Sequence, residues 1–193
     1  FMSIFNKMLA SVGIGSAKVD TKLEKSRYTA GEIIRGNVEV TGGNTAQDVD
    51  RIYLTLYTTY IREANDTKYT DTAAICKFKV SEPFTIGAGE KKAIPFSFEI
   101  PHTTPVTAGK TRIWVQTELD IKMAVDPTDK DFIEVNASPL ANEVLGAVKR
   151  LGFRLREVEC EKAPLRLSTP HVFIQEFEFT ATNATYRRHL DEL

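Results

Sequence analysis

Cysteine and histidine, the residues that most often hold zinc, are scarce: two cysteines and three histidines in 193 residues. Cys76 and Cys160 lie far apart and form no C-x-x-C pair, which excludes a disulfide scaffold or a ribbon-type metal site and suggests two buried thiols in a reducing compartment. His102, His171 and His189 are scattered, with no second His or Cys near any of them, so they are expected to face solvent. Excess charge is missing too. Twenty-five Lys and Arg balance twenty-six Asp and Glu for a net charge of -1. No broad field is present to attract nucleic acid or an anionic membrane. No apolar run approaches the roughly 18 residues that mark a membrane span, and the first fifteen residues lack the continuous apolar core of an export signal. The chain is expected to be cytoplasmic.

Chemical signatures are equally sparse. No G-x-S-x-G elbow occurs, and neither cysteine sits in a protease-like signature. Gly13 and Gly15 follow a helical pattern and precede a strand, the reverse of a dinucleotide fingerprint. Residues 87–92, GAGEKK, have a phosphate-cradle composition but no helix behind them, and are expected to form a hairpin loop. The aromatic stretch YLTLYTTY lacks the basic groove of a stacking platform for single-stranded nucleic acid and suits half-buried tyrosines on a sheet. The expectation is a non-enzymatic protein without a cofactor.

What the chain has is alternation. Val19, Thr21 and Leu23 share one face; so do Ile34, Val38 and Val40; Ile52, Leu54, Leu56 and Tyr60; Cys76, Phe78 and Val80; Ile94, Phe96, Phe98 and Ile100; and Ile113, Val115, Leu119 and Ile121. Such period-2 runs are strands with one face toward a core. Turn residues at 41–44, 86–90, 101–105 and 108–110 punctuate them, and Pro95 confines its strand to an edge or bulge. The pattern predicts an all-β protein built on an immunoglobulin-like antiparallel β-sandwich over 17–125. Two stretches have helical spacing. Residues 3–14 form an amphipathic pattern in which Ile4, Phe5, Met8 and Leu9 present a partner-binding face with one cation, too few for a membrane-lying helix. Residues 139–150 place Leu140, Val144, Leu145 and Val148 on one face, with Ser138 as cap, Pro139 in the first turn and Gly152 as stop. Strand patterns resume in FRLREVEC and VFIQEFEFT, so 132–193 reads as a partial second β domain.

The segment LDIKMAVDPTDKDFIEV concentrates aspartate. Asp126, Asp129 and Asp131 lack the spacing, the glycine and the glutamate of a helix-loop-helix calcium site. A divalent-metal or small-ligand module using this loop is the alternative to an electrostatic role. The favoured reading makes 126–131 a charged hinge in which Asp120, Lys122, Asp126, Asp129, Lys130, Asp131, Arg154 and Arg156 form an interdomain polar network.

Several longer stretches are distinctive: KMLASVGIGSAKVDTKLEK, GGNTAQDVDRIYLTLYTTYIRE, PFSFEIPHTTPVT, TELDIKMAVDPTDKDFIEV, LGFRLREVEC and QEFEF. Together they make the chain resemble the bacterial sporulation-control protein M family, over nearly its whole length. That family is similar to arrestins. The resemblance implies two sandwiches joined by a short hinge with a polar core between them, and a longer native chain cut here within its C-terminal domain. It also implies a cytoplasmic regulator of spore formation, acting as a scaffold or adaptor on other cytoplasmic proteins. Homodimerisation is left open, and neither nucleic acid nor membrane insertion is expected.

Overall fold

A computed structural model describes residues 15–122, 125–182 and 186. Eleven strands and one helix appear among them: β1 Lys18–Leu23, β2 Arg27–Thr29, β3 Ile33–Thr41, β4 Gln47–Ala64, β5 Thr67–Lys79, β6 Phe84–Ile86, β7 Lys91–Glu99, β8 Ile113–Ile121, β9 Thr128–Asn136, α1 Pro139–Arg150, β10 Phe153–Lys162 and β11 Phe173–Ala181. The expected all-β architecture is present. The amphipathic pattern at 3–14, with Ile4, Phe5, Met8 and Leu9, lies outside the described residues.

Two sheets form the sandwich. The smaller has the order β1-β3-β7; the larger runs β11-β10-β4-β8-β9-β2, with β5 and β6 also paired to β4. Alternation dictates the core: Ile34, Val38 and Val40 of β3 face Ile52, Leu54 and Leu56 of β4 and Ile113, Val115 and Leu119 of β8, all essentially inaccessible. β4 keeps its pattern despite a parity change. Val49 pairs with Ile121 and Arg51 with Asp120, so Asp50 is an extra residue that moves the inward positions from odd to even. Pro95 sits in β7, which pairs only with β3, so its missing N–H faces the open edge.

Three expectations change. β9 returns antiparallel against β8, pairing Ile113 with Ile133 and Glu118 with Thr128. Residues 126–131 are therefore the β8–β9 connection and the first rungs of that hairpin, and the sandwich continues through Asn136. Of the stretch 87–92, residues 87–90 join β6, on the larger sheet, to β7, on the smaller, and Lys91 and Lys92 open β7; the connection is an arch between layers and not a hairpin. Helix α1 starts and stops as read, with the Ser138 hydroxyl accepting from the Ala141 N–H and Gly152 at φ +90°. Its contact face is narrower than its apolar stripe. Leu145 and Val148 pack on Phe153, Phe179 and Ala181, while Leu140 and Val144 stay exposed.

Gly36 marks where β1 and β3 approach too closely for a side chain, since a Cβ there would lie 2.3 Å from the Lys22 carbonyl oxygen. Gly36→Ala must push β1 off β3 and is expected to cost about 1–3 kcal/mol, read as a lowered urea midpoint.

Candidate functional site: the junction and the aspartate edge

Where the sandwich meets β10 and β11, one strand serves both. β4 pairs with β5 and β8 along most of its length, then meets β10 through a parallel bridge between Ile61 and Glu161. Beside that bridge Glu159 is nine-tenths buried, with Lys68 Nζ at 3.1 Å from β5 and Lys110 Nζ at 3.3 Å from the loop before β8. Burial alone would push the Glu159 carboxyl up, but the hydrogen bonds and charges of Lys68 and Lys110 outweigh it and hold the group below the usual carboxylate range. Lys68 rises in return, through its hydrogen bond to Glu159. Glu161, 3.9 Å from Lys68, is raised by burial and by its neighbour Glu159.

The rest of the joint is a mixture of backbone capture and ring packing. The Gln175 side-chain amide accepts from the Val106 N–H at 2.8 Å and donates to the Val106 carbonyl at 2.9 Å, so it completes a strand-like pair across the joint. His171 bonds Thr103 at 2.8 Å and stacks on Phe173, which in turn stacks on Tyr60. His171 is thus half-buried and not solvent-facing as expected, and burial lowers its pKa. Cys160 is buried against Ala73 and Phe173; both thiols are pushed up to about 11 by burial, as inert structural cysteines are. Gly109, at φ +53°, passes so close that a Cβ would sit 2.6 Å from the Val158 carbonyl oxygen.

The eight residues expected as one interdomain network are distributed over several places. Lys122 reaches Asp50 at 3.2 Å, and Asp126 caps the end of β8 by accepting from the Ile121 N–H at 2.9 Å. Asp120 stands across from Arg51 in the register. Lys130 lies on the outer sheet face, 3.8 Å from the Trp114 ring and 4.8 Å from that of Phe132. Arg156 approaches Glu178 at 3.6 Å within the β10–β11 hairpin, and Arg154 is an exposed neighbour on β10. Only Asp129 and Asp131 stay together. Both point inward opposite Thr117 and Val115, and Asp129 accepts from the Thr21 N–H at 2.6 Å. Neighbours in sequence were separated by strand pairing. Among the described residues no three His, Cys, Asp or Glu side chains converge as metal ligands do, so the metal-loop alternative gains no geometric support. The sequence carried no signal for the real junction: Glu159 alternates with Val158 and Cys160 as an outward residue of a strand would, and only the structure buries it.

Asp131 is raised to about 6, first by burial, then by the charge and hydrogen bond of Asp129 and by Asp20, with Lys22 opposing. A carboxyl raised on folding binds its proton more tightly in the native state. Its favourable contribution is complete below about pH 4 and is lost as pH rises through about 6. Asp131→Asn is therefore expected to stabilise the protein at pH 7.5 by roughly 1–2 kcal/mol and to leave it unchanged at pH 4, measured by urea denaturation at both values. Glu159→Ala, which leaves two lysines without their carboxylate and a gap at the joint, is expected to cost about 1–3 kcal/mol, with faster proteolysis of the β10–β11 region than of the sandwich.

Known proteins place this geometry. The family model described as SpoOM protein matches residues 5–193. The sporulation-control protein spo0M of Bacillus subtilis (strain 168) is 47% identical over 193 residues, covering 100% of this chain and 74% of the relative. The crystal structure of Spo0M, sporulation control protein, from Bacillus subtilis superposes with a TM-score of 0.86 at 46% identity, over 93% of this chain and 73% of that one. With a match across nearly the whole chain and a relative this similar, the chain belongs to the SpoOM protein family.

Proposed function

We propose that this chain is a cytoplasmic, non-enzymatic regulator of sporulation that works as an arrestin-like scaffold or adaptor through protein–protein contacts. The observation that carries the reading is the Glu159 junction. A buried carboxylate held by lysines from β5 and from the 107–112 loop is a poor source of raw stability, because desolvation offsets much of the attraction. Its value is directional. Hydrogen-bonded charges tolerate little change of angle or distance, so they set how the β10–β11 unit is held against the sandwich. An adaptor needs this property, since its partners must be presented in a defined relative position. The names of the relatives, sporulation-control proteins, support the same reading. No helix among the described residues is long and apolar enough to cross a membrane.

The test is affinity capture of the tagged chain from sporulating cells, alongside the charge-removed junction variant Lys68→Ala/Lys110→Ala and a tag-only control. A partner recovered by the parent chain and depleted several-fold by the variant is the expected result. Recovery of nothing beyond the tag control would count against the adaptor role.

A further inference from the structure

Part of the outer edge of β9 is open. β2 covers only Glu134–Asn136, leaving the edge from Thr128 to Ile133 without a strand. The Glu134 N–H points to this side, toward the Ser26 carbonyl at 2.8 Å. By the two-residue period of a strand, the N–H and C=O groups of Lys130 and Phe132 point the same way. Beside them runs a trough in two adjoining parts. One, of about 350 Å³, lies between β1 and β9 and is bounded by Asp20, Lys22, Lys25 and Asp131. The other, of about 630 Å³, follows β9 toward Arg112, Thr107 and Glu134. Phe132 and Ser26 line both.

We propose that this trough receives an extended peptide segment of a partner protein, which adds as a strand to the Lys130–Phe132 edge and carries a basic side chain directed at Asp131. The proposal deepens the adaptor reading and rests on it. Three observations specify the occupant. Unpaired backbone donors and acceptors at strand spacing are complementary to another strand. On the facing edge of β1 the Thr21 N–H is already taken by Asp129, whereas the outward backbone groups of Lys130 and Phe132 are free along β9, so the incoming segment pairs with β9. Charge supplies the rest: Lys22 is paired with Asp20 at 2.5 Å and Lys25 with Glu32, whereas the buried Asp131 Oδ2 has no hydrogen-bond partner. Residues of an added strand alternate between faces, as β9 does. Those on the inner face meet Asp131; those on the outer face lie beside Phe132, which is 58% exposed and seated on Trp114. The recognised pattern is therefore a basic residue alternating with apolar ones.

A fluorescein-labelled nine-residue peptide alternating valine and lysine is the probe, read by anisotropy, with a valine–glutamate peptide as its counterpart. Saturable binding at least tenfold tighter for the lysine peptide is expected. Lys130→Pro removes the outward N–H and should weaken binding at least tenfold, whereas Lys130→Ala, which keeps it, should bind as the parent chain does. Methylating the peptide nitrogens that face β9 tests the same pairing without altering the protein, and should also cost at least tenfold. Equal affinity for both peptides, proline and alanine variants that bind alike, or an N-methylated peptide that binds undiminished would overturn the assignment. So would a dimer in sedimentation velocity that Lys130→Pro dissolves, because the edge would then be filled by a second copy. Partner capture by the parent chain that Lys130→Pro leaves intact would sink the edge while sparing the adaptor; failure of the parent chain itself sinks the adaptor.

Discussion

β4 is long enough to belong to two bodies at once, and most of the architecture follows from that. Eighteen residues of one strand pair with β6 at the start, with β5 and β8 along the middle, and with β10 near the end. A strand cannot change direction sharply without giving up its ladder, so whatever pairs near Ile61 inherits the orientation set in the sandwich. The backbone bridge to β10 is a single one. Side chains must hold the remaining freedom, and Gln175, His171 and Glu159 do so through bonds to Val106, Thr103, Lys68 and Lys110.

Charge is used differently at the two polar places. At the junction, a carboxylate meets cations and is held ionised. At the β1–β9 edge, carboxylates meet one another, and the one with an unsatisfied oxygen is driven toward its protonated form. The first arrangement is closed and orients two units. The second is open and asks for a donor. The carboxylates of both lie on strands whose direction the pleat dictates, and the junction adds Lys110 from the loop before β8.

Much of this was legible beforehand. Alternation located the β3, β4, β7 and β8 core positions, and Ser138, Pro139 and Gly152 bounded α1, because these signals depend on neighbours a few residues away. Three-residue strands such as β2 and β6 are too short to show a period, and they exist only because Glu134 and Val49 offer edges to pair with. The aspartate segment drew attention for its composition. Its members then separated, since consecutive residues of a strand face opposite sides and a hairpin turn sends its ends to different neighbours.

The sequence by itself determined the all-β class, the inward faces, the helix caps and the family, all of which are written in local periodicity or in extended identity. Only the tertiary structure decided which charges meet. Lys68 and Glu159 are 91 positions apart, and Thr21 and Asp129 are 108 apart. No periodic signal spans such distances, and an ion pair forms wherever strand order brings opposite charges within about 4 Å. The placement of the junction at Glu159, and of the open edge at Lys130–Phe132, is a consequence of sheet order.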